Sequence, residues 1–190
     1  MNGKIKWLRD KLRSQELQGM IVSNPLNINY LIGIDAEGIL LITLRENIFI
    51  TDSRYIEAVN RILTIDDEII VVDKKNISKE DYANYFMFCE NVGFEEKYVT
   101  YEEYKKMLQT YRVNLTETEG IIESERVIKD EIEIKRIEKA CQITDKCFEH
   151  LKTFIKKGMS EKEIAFEIER FMKVNGAEDV SFDPIVASRS

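Results

Sequence analysis

Apolar positions follow two rhythms along this chain, and each change of rhythm marks an element. Ile5, Leu8, Leu12 and Leu17 fall at near-helical spacing, which predicts a first helix over Lys4–Gln18 with Gly19 as its left-handed C-cap. Met20-Ile-Val-Ser23 is a short apolar run suited to a buried strand, and Asn24-Pro25 punctuates it. Asn27–Ile34, carrying Ile28, Leu31 and Ile32, predicts a short helix or turn that stops near Gly33. Gly38–Thr43 and Asn47–Thr51 are branched or aromatic arms around a polar Leu44-Arg-Glu46 loop, the pattern of a hairpin. Arg54–Leu63 predicts a helix with Tyr55, Ala58, Val59 and Ile62 on one side, and Glu68–Val72 is the clearest strand. Asp81–Cys89 predicts a helix and Asn91–Phe94 a strand. Thr100 and Glu103 have capping-box spacing for a helix to about Gln109, and Val113–Thr116 predicts a last strand. This alternation is the pattern of an α/β domain with a mixed sheet flanked by helices.

The rhythm changes near Ile121. Ile134, Ile137, Cys141, Thr144, Phe148, Leu151 and Ile155 recur at spacings of three and four, one face of a long helix ended by Gly158. Ser160 and Glu163 form a second capping box. The helix it opens has Ile164, Ile168 and Phe171, with Ala165 and Met172, as its apolar face, and ends at Asn175-Gly176. Ser181–Ala187 predicts a strand. The expected domains are 1–122 and 123–190.

Composition narrows the function. Hydrophobic residues are 44% and charged residues 33%, the balance of a globular protein rather than a disordered one. A net charge of −7 weighs against binding to nucleic acid or an anionic membrane surface, which requires clustered cations. No apolar run reaches the roughly 18–20 residues of a membrane span, and the basic start has no apolar run behind it to make a signal peptide. Cys89, Cys141 and Cys147 are an odd set without metal-binding spacing, which points to reduced thiols and a cytoplasmic location.

Few residues offer chemistry. Asp52 or Ser53 stands where a strand gives way to a helix, a position for an N-cap, and Asp52 can pair with Arg54. His150 is the only histidine, and a lone helix histidine is more often half-buried than a metal ligand. Glu161, Glu163, Glu167 and Glu169 read as helix-surface charges. There is no nucleophile elbow and no phosphate loop.

Four segments stand in a telling order: Asn24-Pro25 with Asn29-Tyr-Leu-Ile-Gly33, Thr51-Asp-Ser-Arg-Tyr55, Arg126-Val-Ile-Lys-Asp130 with the helix Glu133–Ala140, and Ser181-Phe-Asp-Pro-Ile-Val-Ala-Ser188. In that order they resemble the N-terminal domain and the opening of the pita-bread catalytic domain of Xaa-Pro aminopeptidases and prolidases. The resemblance implies a creatinase-like α/β domain followed by the first helices and strand of an incomplete α+β pita-bread domain. It implies hydrolysis of a peptide bond next to proline, with two divalent metals (manganese or cobalt) held by two Asp, one His and two Glu. Arg189 stands where the family carries a Gly, and every metal ligand of the family lies further on. The resemblance therefore implies a truncated chain, a fragment or split-gene product, that holds no catalytic or metal residue and is inactive alone. It also implies a homodimer acting on proline-containing peptides, with Tyr30, Asp35, Asp52 and Arg54 as substrate-proximal or subunit-interface candidates. For Tyr30, packing in the core is the competing reading. A non-catalytic peptide-binding or dimerisation module is the alternative, and it would bury the apolar faces of its last two helices.

Overall fold

A computed structural model describes residues 3–63 and 68–188. Contacts divide the chain into two compact units, Met1–Ile128 and Lys129–Ser190.

The first unit is built on a six-stranded sheet: β1 (Gly19–Val22), β2 (Gly38–Thr43), β3 (Asn47–Thr51), β4 (Ile69–Asp73), β5 (Asn91–Phe94) and β6 (Asn114–Glu117), in the spatial order β4-β3-β2-β1-β5-β6. β2 is antiparallel to both its neighbours, whereas the β3–β4, β1–β5 and β5–β6 pairs are parallel. Five strands thus share one direction and their carboxyl ends share one rim. Helices α1 (Gly3–Ser14), α2 (Pro25–Ile32), α3 (Ser53–Ile62) and α6 (Ile121–Arg126) cover one face, where Ile5, Leu8, Leu12, Ile28, Leu31 and Phe49 are buried. Helices α4 (Lys79–Asn84) and α5 (Tyr101–Tyr111) cover the other, around Ile21, Leu41, Phe86 and Tyr111.

Gly19 is not a helix cap. α1 ends at Ser14, Glu16 takes the left-handed conformation at φ 59°, and the Leu17 N–H returns to Leu12 O at 2.9 Å. Gly19 opens β1, where a Cβ would sit 2.8 Å from Ile42 O and 2.9 Å from the Phe86 ring. Close approach, not turn geometry, requires glycine there. The buried guanidinium of Arg9 locks α1 to the hairpin: its Nε donates to Thr43 O at 2.8 Å and an Nη donates to Asn47 Oδ1 at 3.0 Å.

α2 has local signals at both ends. The Asn24 side chain accepts from Leu26 N, Pro25 fills the first turn, and Gly33 at φ 70° donates back to Asn29 O. α4 is shorter than the expected Asp81–Cys89 helix. It ends at Asn84, and the turns that follow fold Phe86 into the core while leaving Met87 and Phe88 exposed. α6 belongs to the first unit because Ile121 and Ile122 are buried in its core, so the division falls at Ile128/Lys129 rather than at 122/123.

The second unit contains α7 (Glu131–Phe154) and α8 (Glu161–Val174), each opened by a capping box: Asp130 with Glu133, and Ser160 with Glu163. α7 stops before Gly158, with Ile155 as its C-cap. Its buried residues are Ile143 and Cys147, which face α8's side of the helix, not the Ile134–Ile155 stripe. Ile134, Ile137, Phe148 and Ile155 stay exposed, Phe148 at 62%. The expected strand Ser181–Ala187 does not form: a strand exists through its ladder, and no partner lies beside this segment among the described residues. Among the described residues no helix is long and apolar enough to cross a membrane.

Candidate functional site

The rim where β1, β3, β4 and β5 end carries two polar groupings of the first unit. This is where open α/β sheets ordinarily place their ligand sites. Because β2 runs the opposite way, its start lies at the same rim, so the loop before it joins the others there.

At the end of β3, Asp52 caps α3 by accepting from Arg54 N at 3.0 Å, and it also takes Arg54 Nε at 2.9 Å. That backbone N–H, and then the guanidinium, hold the Asp52 carboxyl below its ordinary range. Arg54 reaches Glu37 at 4.0 Å across the start of β2, and Lys75 after β4 donates to Ser53 Oγ at 2.9 Å. Asp52 and Arg54 are therefore brought together, in a solvent-exposed ion pair of modest strength. Asp35 is exposed in the loop between α2 and β2. Tyr30, on α2, packs half-buried against the larger core with the Lys4 ammonium 3.8 Å over its ring.

Deeper in the rim lies a network that sequence reasoning missed. Glu95, only 4% exposed, follows β5 and accepts from Ser23 N at 2.6 Å, Asn24 N at 2.8 Å and Asn27 Nδ2 at 2.7 Å. Asn27 is fully buried, and its amide also donates to Glu123 Oε1 at 2.6 Å and accepts from Arg126 Nη1 at 2.8 Å. Asn27 thereby ties α2 to α6 and, through Glu95, to the ends of β1 and β5. The available signal was spacing: Asn27 lies four residues before Leu31, on the apolar stripe of α2, where a polar residue demands partners.

In the second unit His150 stacks on Phe171, with ring centroids 4.6 Å apart, and bonds Glu167 at 2.7 Å. Glu167 also takes both Arg170 contacts, at 2.7 and 2.6 Å. Those bonds, Arg170's first, lower its carboxyl to about 2. Glu167 is not the surface charge expected from the sequence. It is covered, but by Arg170, His150 and the neighbouring rings rather than by depth in a core. Glu161 and Glu163 do sit at the surface, holding Ser188 N and the Ser160 cap.

Comparison with known proteins follows this architecture. The creatinase/prolidase N-terminal domain family matches residues 4–128. The chain belongs to the creatinase/prolidase family. Metallopeptidase family M24 matches residues 135–190. Over 97% of its length the creatinase/prolidase chain is 32% identical to the Bacillus subtilis peptidase YqhT, covering 53% of that protein. It is 31% identical to a Xaa-Pro dipeptidase of Pyrococcus horikoshii, over 99% of this chain and 52% of that one. Among solved structures, a Xaa-Pro dipeptidase from Bacillus anthracis superposes with a TM-score of 0.84 at 31% identity, over 95% of this chain and 51% of that one. The chain spans about half the length of the curated relatives it matches.

A metallopeptidase family implies divalent metals. Among the described residues no three His, Cys, Asp or Glu side chains are placed to hold an ion, so the donor set here does not fit a dinuclear centre. Arg189, on which the expected loss of the family's glycine rests, lies outside the described residues.

Proposed function

We propose that this chain serves Xaa-Pro peptide hydrolysis, as the amino-terminal portion of a metal-dependent dipeptidase that works as a homodimer in the cytoplasm. The observation that carries the reading is collinearity. One continuous match runs through both units, over 95% of the chain, onto the Bacillus anthracis Xaa-Pro dipeptidase. In this reading the first unit supplies a rim of substrate-proximal or subunit-facing groups (Tyr30, Asp35, Asp52 and Arg54), and α7 and α8 form the outer layer of the catalytic domain. The two divalent metals, manganese or cobalt, are held by the half of the relatives' length that this chain does not span. The three free cysteines agree with a reducing compartment. The uncovered Ile134–Ile155 stripe speaks against a self-sufficient binding module, which would bury it.

The test is hydrolysis of Xaa-Pro dipeptides with added manganese or cobalt. One arm uses the purified chain alone, and the other co-expresses it with the carboxyl-terminal half of the Bacillus anthracis enzyme. No turnover alone and metal-dependent turnover in the pair is the expected result. The reading fails if the pair stays silent while that enzyme's own two halves recombine actively. Turnover by the chain alone would place the metal ligands among residues assigned here to the surface.

A further inference from the structure

The opposite rim of the sheet, where β1, β3 and β5 begin, holds a cleft of about 340 Å³, at the small end of the range for small-molecule sites. One wall is the loop between β2 and β3, and the other is the run of turns after α4. Gln18 fastens the two walls together. Its main-chain oxygen accepts from Leu44 N at 3.2 Å and from the Cys89 thiol at 3.6 Å. Its Oε1 accepts from Glu90 N at 3.1 Å and Asn91 N at 2.7 Å. Thr43 Oγ1 in turn accepts from Arg45 N at 3.1 Å and Glu46 N at 2.9 Å, so the loop backbone is held by its own residues.

The loop leaves two charges without a counter-ion. Arg45 and Glu46 are adjacent, exposed and line the cleft, and neither enters an ion pair among the described residues. The Arg45 guanidinium lies over the Phe88 ring, 5.3 Å from its centroid, and Phe88 is 74% exposed. A guanidinium stacked on a ring keeps the donors at its edge for a carboxylate. Burial raises the Cys89 thiol, and Arg45 acts against that rise. Burial, then Asp81 and Glu46, raise the Tyr85 hydroxyl. The base thus stands beside Phe88 and Cys89, and the acid beside Tyr85.

We propose that this cleft binds a free apolar α-amino acid, with its carboxylate on Arg45, its ammonium on Glu46 and its side chain against Phe88. The inference goes beyond the peptidase reading and does not rest on it. A base and an acid side by side select a ligand that carries both charges one carbon apart. A dicarboxylate would meet Glu46 and a diamine would meet Arg45, and both juxtapositions are repulsive. The exposed ring favours an apolar side chain over a polar one. The volume suits a single amino acid rather than a nucleotide or a longer peptide.

The experiment is NMR titration of the full chain with L-leucine and L-proline, where a small exposed site is expected to give a dissociation constant of about 1 mM. Leucinamide, which lacks the carboxylate, and N-acetylleucine, which lacks the ammonium, should each bind about tenfold more weakly. Arg45→Gln and Glu46→Gln should weaken leucine binding about tenfold as well, with thermal unfolding unchanged because both side chains are exposed. If either variant impairs folding, the two analogues test the same charges on the unaltered protein. At ten times its dissociation constant, leucine should slow alkylation of Cys89 about fivefold or more and leave exposed Cys141 unchanged. Arg54→Gln, at the other rim, should not alter leucine binding. No binding up to about 10 mM would overturn the proposal. So would indifference to the Arg45 and Glu46 changes, an unprotected Cys89, or binding lost in Arg54→Gln. None of these outcomes bears on Xaa-Pro turnover, which the complementation assay reads separately.

Discussion

Replacing Asn27 with leucine, similar in size but without polar atoms, isolates the worth of the buried amide. Its bond to Glu95 reaches a carboxylate that is almost fully enclosed, where a hydrogen bond to a charged group is worth about 1.5–3 kcal/mol. Glu123 and Arg126 are half-buried and can recover water, so their two bonds count for about 0.5–1 kcal/mol each. The leucine side chain returns about 1 kcal/mol through its apolar surface. The net loss is about 1.5–4 kcal/mol, a large share of the 5–15 kcal/mol of an ordinary domain. With a urea dependence of about 2 kcal/mol per molar, the midpoint falls by about 0.8–2 M. Trp7 is the only tryptophan and packs against the core of the first unit, so its fluorescence follows this unit selectively. Hydrogen exchange should quicken first in α6, which loses two of its ties to α2. A midpoint shift below about 0.3 M, with α6 protection unchanged, would refute the assignment of Asn27 as the hub.

Two further expectations concern ionisation. The Glu167 carboxyl, held at about 2, binds its proton less readily in the folded protein than in the unfolded chain. Its contribution is therefore complete above the ordinary carboxylate pKa and is lost as pH falls from about 4.5 through about 2. Helicity of the second unit, followed by circular dichroism, should drop across that window, and Glu167→Gln should flatten the dependence; equal acid profiles would exclude the role. For the thiols, exposed Cys141 should be alkylated first. Cys147, 2% exposed, and Cys89 should lag, because burial raises both thiols above their usual range. Peptide mapping of a labelling time course checks the order, and early modification of Cys147 would contradict the packing of α7 on α8.

What the sequence made legible was local. The caps at Thr100 and Ser160 need only residues within a turn and form with the expected glutamates, and Asp52, one of the two expected candidates, caps α3; Asn24, read only as a break in the pattern, caps α2. Gly19 was misread because a helix cap and a close strand contact both select glycine, and only the position of Phe86 separates them. Glu167 carried a usable signal, being three residues after Ile164 and four before Phe171, on the same face. Its charge argued for solvent, while Arg170 and His150 supply what solvent would have. The stripe from Ile134 to Ile155 announced a helix correctly but not what lies against it, since its spacing says nothing of α8's position. The Glu95–Asn27–Glu123 linkage was out of reach, because its members come from three separate stretches joined only by the sheet order.

The central place of β1 also sets an order of assembly. Its partners on one side, Leu40–Thr43, follow closely in the chain, so a half-sheet of β1 to β4 can form once Asp73 is available. On its other side Met20 must wait for Gly93, a pairing of long sequence separation that forms slowly. During synthesis, therefore, the open flank of Gly19–Val22 is the place where the growing chain is most exposed to mispairing. Those same four residues are fully enclosed once β5 arrives.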